Sequence, residues 1–590
     1  MKDKPVSWKL SDILKQNEFE DLKLKIQKDI KRFAAMCKRL SPGMSPKKFK
    51  QIVLLSEKIS EDFSRLYDLP ALMESVDQQA PKPKKMKEQA KDVEIEIENS
   101  TRPFWHWIKG KRVKGIRKLD NRNARRLFSS FPKMRYILER TKGAAKYTLS
   151  ESEERILTLS QATGISTLLD LRSLIETEQI YQVKIKGKSK KISTTSELMK
   201  HVYSGDPKTR RSAYKSLFKV YEQNLMKYFL VYQSRVKDWG HEVALRSFPT
   251  PLSMRNEAND IEDETVDLLL EVVRENRGIF HEYFHLKSKR LGTKKLSRYD
   301  IYAPIGDERR EHIPYSYAVN IVLDTFAEFS NSFADHARSI VNEEHIDSHP
   351  SESKQSGAFC ATIGPKITPY ILLNYTGRKR DISTLAHELG HGIHSLFASK
   401  QTVTGQNAPL PLAETASTFG EMITFERLLS EESSVSQKRE MLMEKVADSY
   451  ATILRQMYFL TFEIKAHNVI SKGTTPESLS ELFYSTLKEQ FGSSVVIPKD
   501  FRYEWAYIPH IVRTPFYVYA YAFGELLSLA LYSRYKSEGK QFISKFIHIL
   551  AAGKTVKPSK LLKEIGIDIS QKSFWQGSFE VISSWIKAAG

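Results

Sequence analysis

The sequence predicts a mainly α-helical protein with a small β component. Three observations lead there. Amphipathic helical periodicity recurs along most of the 590 residues. Strand-like runs are confined to two short stretches, at about 179–192 and 354–376. No internal repeat and no long low-complexity tract interrupts the pattern.

Taken in chain order, residues 11–40 and 46–66 read as amphipathic helices with charged outer faces. Residues 79–90 are polar and rich in Pro and Lys, which predicts a loop between helices. Further helices follow over 92–157, with Trp105 and Trp107 as core candidates. Residues 183–192 alternate Val, Ile, Gly and Lys, predicting a short exposed hairpin near 180–192. Helix starts recur at 193–199, with Thr195 and Ser196 near the cap, and at Gly205-Asp-Pro207. Long helical patterns return over 260–291, 314–342 and 434–470. Tyr370-Ile-Leu-Leu-Asn-Tyr375, ending at Gly377, is the strongest strand candidate. As an edge strand it would offer free backbone groups to an extended peptide; as an internal strand it would not.

Length allows several domains and a large core. Hydrophobic content of 41% and aromatic content of 11% suit a globular protein. No apolar run is long enough to span a membrane, and the N-terminal Met1-Lys-Asp-Lys-Pro lacks the apolar core of a signal peptide. Two cysteines, Cys37 and Cys360, cannot build a disulfide framework, so the reducing cytoplasm is the expected compartment. Cys360 reads as a packed thiol. The formal charge of +21 raises nucleic acid as a partner. Lys and Arg nevertheless alternate with Glu and Asp on helices, the habit of solvated faces, so no specific nucleic-acid partner is expected.

The chemistry concentrates at His387-Glu-Leu-Gly-His391. On a helix the two imidazoles lie one turn apart on one face, where they can grip one Zn²⁺. Glu388 beside them can take a proton from a water that the ion activates. Leu385, Leu389, Ile393, Leu396 and Phe397 give the segment an apolar stripe, and Asp381, Ser383 and Thr384 are cap candidates upstream. Gly390 and Gly392 lower helix propensity, and their small size permits close approach of a second backbone. His394 is expected to pack rather than to bind metal.

A third ligand must come from elsewhere, because no histidine stands at the downstream position used in metzincins. The candidate is Glu414, in the first turn of a helix that Pro409 and Pro411 announce and that runs to about residue 429. Glu421 lies two turns further on the same face. Glu414 is expected to bind the metal and Glu421 to hydrogen-bond a ligand imidazole.

These segments resemble a known family. His387-Glu-Leu-Gly-His-Gly-Ile-His-Ser-Leu-Phe397 and Leu412-Ala-Glu-Thr-Ala-Ser-Thr-Phe-Gly-Glu421 are similar to the oligoendopeptidase F branch of the thimet-oligopeptidase-like zinc metallopeptidases. So are Tyr299-Asp-Ile-Tyr-Ala-Pro304, Ser356-Gly-Ala-Phe359 and Pro369-Tyr-Ile-Leu-Leu-Asn-Tyr-Thr-Gly377. Trp505-Ala-Tyr-Ile-Pro-His510 and Phe516-Tyr-Val-Tyr-Ala-Tyr-Ala-Phe-Gly524 look like the family's C-terminal tyrosine-rich stretch, with Arg513-Thr514 a departure between them. The likeness is densest over about 290–530.

The resemblance implies a two-lobed helical clam-shell around a deep channel, with the small sheet next to the zinc-binding helix. It implies an N-terminal helical lobe at 1–200 and a catalytic domain at 201–590. It implies one Zn²⁺ per chain, oligopeptide substrates, and a zinc endopeptidase that hydrolyses internal bonds of short unfolded peptides. His510 and the hydroxyls of Tyr517, Tyr519 or Tyr521 are candidates to stabilise the tetrahedral oxyanion. On a helix Tyr517 and Tyr521 share a face and Tyr519 points away, which favours the first two. Two other readings stay open. A carboxypeptidase would use Arg513 to hold a terminal carboxylate. A non-catalytic protein would bind peptides on the same fold.

Overall fold

Helices build most of the chain, and a computed structural model describes residues 4–306 and 312–590. The strands are few and short, so the mainly α expectation with small sheets holds. The chain divides into two compact units. One comprises Met1–Thr148, Arg310–Ser430 and Arg534–Asp568, and the other Leu149–Arg309, Glu431–Ser533 and Ile569–Gly590. This partition is interleaved, unlike the linear division at residue 200.

Packing in the first unit explains why the N-terminal helices join the later 310–430 stretch. The helices Phe19–Cys37, Pro46–Val76 and Pro81–Ile108 pack on one another around Phe33, Phe49, Phe104 and Trp107, all fully buried. Trp107 Nε1 donates to the Arg117 carbonyl at 2.9 Å, so the ring is buried with its polar atom satisfied. The same core takes in Tyr370, whose hydroxyl donates to the Lys9 carbonyl at 2.9 Å.

The expected loop at 79–90 is instead the start of the helix Pro81–Ile108. Pro81 and Pro83 fall in the first turn, where an N–H would have no helical partner and a fixed φ is already suitable. The Lys-rich run is then a solvated helix face. Two of the long patterns are broken: 314–342 divides at Ser330, and 434–470 carries a π-helical turn at Tyr450–Leu454.

The hairpin forms as expected. Tyr181–Ile185 pairs antiparallel with Lys188–Ile192 in the second unit. Lys186 and Gly187 both have positive φ, as a tight two-residue turn requires.

The small three-stranded sheet lies in the first unit. Tyr370–Leu372 is its central strand, parallel to Ile346–Asp347 and antiparallel to Phe359–Ala361. Of the two readings left open, the internal strand is the one found: the backbone groups of this strand are spent on two neighbours. Its side chains are all buried, which fits a run without polar alternation. The strands Phe359–Ala361 and Tyr370–Leu372 both contact the helix Lys379–Phe397, so the sheet does sit beside that helix.

Candidate active site

The helix Lys379–Phe397 follows the sheet through a turn at Gly377, whose φ is +87°. A Cβ there would come within 2.2 Å of the His312 ring, so glycine is required on both counts. Asp381 anchors the entry. Its Oδ2 accepts from the Thr376 N–H at 2.7 Å, the Thr376 hydroxyl at 2.9 Å and the Arg378 N–H at 3.1 Å. The cap is thus made by a carboxylate reaching back from the first turn rather than by Ser383 or Thr384.

Ile382, Leu385, Leu389 and Ile393 are fully buried and fix the helix's rotation. That rotation leaves His387 and His391 about one quarter exposed, with ring centroids 4.9 Å apart and nearly perpendicular. Glu388 is buried on the same helix.

The facing helix is Thr415–Glu431, preceded by the short helix Leu410–Ala413. Glu414 stands at the junction between them. It can approach the histidines because the helices cross at glycines. A Cβ on Gly390 would lie 2.5 Å from the Ala416 carbonyl oxygen and the Ser417 Cα. A Cβ on Gly420 would meet Phe326 at 3.1 Å and the Ala386 carbonyl at 3.4 Å. Gly392 instead faces Ile340.

The result is a convergent set. Glu414 Oε2 lies 3.4 Å from His387 Nε2 and 3.5 Å from His391 Nε2. Each of the three residues offers a donor atom within 4.8 Å of the others. The Ser417 hydroxyl donates to Glu414 Oε2 at 3.0 Å and steadies it. Glu421 Oε2 lies 3.3 Å from His387 Nδ1; a carboxylate only accepts, so the contact favours a proton on Nδ1, while Nε2 faces Glu414.

The electrostatics suit the arrangement. Burial pushes Glu388 up to about 7; the His387 charge opposes this and the Glu414 charge reinforces it. Burial holds His391 down to about 4, so its imidazole is neutral near pH 7. For His387 burial acts downward, but the Glu421 hydrogen bond and the charges of Glu421, Glu414 and Glu388 raise it overall. His394 is buried and neutral, held down to about 4 mainly by burial. Cys360 is half-buried, its thiol pushed well up by burial and then by the Glu388 charge.

The tyrosine-rich stretch belongs to the second unit. His510 opens the short helix His510–Arg513 and is exposed. Its Nε2 lies 3.4 Å from the Tyr521 hydroxyl. The Tyr517 and Tyr521 rings meet edge-on at 5.2 Å. Tyr517 precedes the helix Tyr519–Glu538 by two residues, yet the shared face holds. Tyr519 is buried and its hydroxyl accepts from Asn259 Nδ2 at 2.8 Å, so it is spent on the interior. Burial lowers the His510 pKa, helped by the charges of Arg455 and Arg513.

Three supporting residues were not legible in advance. Gly420 and Ser417 sit inside the glutamate motif, where their spacing of six and three from Glu414 is the available signal. Phe516 is the third. Its φ of +58° is unusual for a bulky residue and has no sequence signature.

The model of peptidase family M3 matches residues 200–581. An oligopeptidase PepF of Bacillus subtilis is 28% identical over 431 residues, covering 72% of this chain and 64% of the relative. An oligoendopeptidase F homolog of Borreliella burgdorferi is 29% identical over 442 residues, covering 74% of each. Among solved structures, a putative peptidase from Chlamydophila abortus superposes with a TM-score of 0.85 at 21% identity, covering 98% of this chain and 97% of that one. Oligoendopeptidase-F from Enterococcus faecium gives 0.71 at 19% identity, covering 97% and 98%. These two likenesses establish the fold.

Proposed function

The chain belongs to peptidase family M3, and on that premise we propose that it is a zinc-dependent endopeptidase acting on internal bonds of short unfolded oligopeptides. One observation carries this reading: a single Glu414 oxygen faces the Nε2 atoms of both His387 and His391, with Glu388 on the same helix. Two neutral-capable imidazoles and one carboxylate are the donor set that Zn²⁺ favours in hydrolytic sites. The Glu421 contact fixes the tautomer that such binding needs.

His387, His391 and Glu414 would hold one zinc per chain. When bound, zinc supplies Lewis acidity toward water and toward the scissile carbonyl. Glu388 accepts the proton of the attacking water on its carboxylate and returns it to the leaving amine nitrogen. Burial of the Glu388 carboxyl raises its pKa and so favours the protonated form that donates to the amine. Glu421 keeps His387 oriented. His510, Tyr521 and Tyr517 donate hydrogen bonds to the oxyanion, an assignment supported by their match to the family's tyrosine-rich stretch.

The match of the family model from residue 200 supports a catalytic domain at 201–590 with residues 1–200 as an accessory helical lobe. A cytoplasmic location is supported by two unpaired cysteines and by the lack of any helix, among the described residues, long and apolar enough to cross a membrane.

The test is digestion of a defined peptide library, with and without a chelator, read by mass spectrometry. Internal cuts that vanish with chelator and return with zinc are expected. Cutting that persists in chelator rejects the metal role. The carboxypeptidase reading, which the exposed Arg513 beside His510 favours, predicts that C-terminal amidation blocks cleavage. An endopeptidase tolerates amidation.

A further inference from the structure

The peptide group joining Pro515 and Phe516 is gripped at both of its polar ends from inside the second unit. Its carbonyl oxygen accepts from Arg255 Nε at 2.9 Å. Its N–H donates to Glu463 Oε1 at 2.9 Å. Phe516 has a left-handed backbone, φ +58°, which costs energy for a residue with a Cβ and persists only where the surroundings impose it.

The surroundings do impose it. Glu463 is wholly buried in the middle of the helix Arg455–Ser471. One turn on, the buried His467 ring lies 4.5 Å from the Phe516 ring. Trp239 contacts Phe516 at 6.5 Å, and the Arg255 guanidinium stacks over Trp239 at 5.3 Å. A buried carboxyl in an apolar helix is a costly choice unless its hydrogen bond does something. Its Oε2 finds no hydrogen-bond partner among the described residues, so the bond to Phe516 is the contact that Oε1 is placed for. Burial pushes the Glu463 pKa up to about 8, so near neutrality the group is the uncharged acid, which an amide mimics.

The consequence lies one residue downstream. Tyr517 follows directly on Phe516, and Tyr521 packs edge-on against Tyr517 and sits 3.4 Å from His510. We infer that Glu463 and Arg255 are positioning residues, clamping the Pro515–Phe516 peptide in a left-handed turn and thereby setting the Tyr517–Tyr521 face. The inference rests on the oxyanion role proposed above for these tyrosines. Neither clamp residue touches substrate in it; both act through the turn.

Two readouts test the clamp in the full-length zinc enzyme. In Glu463→Leu, amide exchange across residues 513–518 is expected to rise and kcat to fall by about a hundredfold with KM little changed. Glu463→Gln keeps an acceptor oxygen and is expected to restore both. Unchanged exchange in Glu463→Leu overturns the inference, and so does unchanged kcat when Tyr521→Phe is itself impaired. If Glu463→Leu fails to fold, Arg255→Met reads the other end of the same peptide, with the same outcomes. Coupling is read in a Tyr521→Phe background, where Glu463→Leu is expected to cost much less than it does alone. A full further loss there also overturns the inference, since the carboxyl would then act elsewhere. Tyr521→Phe with wild-type kcat rejects the oxyanion assignment itself, and amide exchange then decides the clamp independently.

Discussion

Gly390 lies against the backbone of Ser417, so closely that a Cβ at position 390 would fall 2.5 Å from the Ser417 Cα. This contact sets the distance between the helix bearing His387 and His391 and the helix that follows Glu414. The geometry of the proposed metal-ligand set therefore depends on position 390 carrying no Cβ.

Gly390→Ala is expected to lower zinc affinity about tenfold or more without removing a ligand. Alanine raises helix propensity by about 1 kcal/mol, so a loss of zinc would not reflect a weaker helix. Zinc titration followed by elemental analysis after dialysis checks this. Wild-type affinity would mean that the helices part without disturbing the ligands.

Glu388→Gln is expected to abolish turnover, by a factor of roughly 10² to 10⁴, while zinc stays bound. The amide cannot accept the water proton but matches the carboxylate in shape. A quenched fluorogenic peptide and metal analysis on one preparation check both halves. Turnover at the wild-type rate rejects Glu388 as the base.

Glu414→Ala and Glu421→Ala separate two kinds of support. The first is expected to empty the site at dialysis equilibrium. The second removes only the partner of His387 Nδ1, and a loss of 10- to 100-fold in affinity is about what such contacts are worth. Full zinc content in Glu414→Ala removes it from the ligand set.

Stability should vary with pH through Lys287. This buried side chain donates to the Ile301 carbonyl at 2.6 Å, and burial with the Arg210 charge lowers its pKa to about 8. In the unfolded chain it returns to the ordinary lysine value of 10.5. Between those values the unfolded state binds more protons, so stability rises with pH. The cost of burying the charge is fully present below pH 8 and is relieved by pH 10.5. Lys287→Met removes it. Its stability relative to wild type is expected to be higher at pH 7 than at pH 10.5 by on the order of 3 kcal/mol. A pH-independent difference in denaturant unfolding would show that Lys287 titrates normally.

By itself the sequence determined the helical class, the hairpin at 180–192 and the grouping of His387, Glu388 and His391, because these follow from local periodicity and from spacings of one or four residues. It also pointed to Glu414 and Glu421 through a second motif, although Glu414 stands at the junction of two helices and not in the first turn of one. Tertiary structure alone decided the rest. Tyr370–Leu372 is central rather than an edge because its paired residues lie 9 to 25 positions away in the chain, and nothing in an apolar triplet says how many partners it has. The prolines of 81–83 start a helix because three N-terminal helices share a core, which a local reading of Pro and Lys does not sense. Glu414 meets the histidines only where two helices cross on glycine, and Phe516 turns left-handed only because Glu463 and Arg255 hold its peptide. Contacts between residues far apart in the chain are made by shape and burial, and one chain's letters carry no record of them.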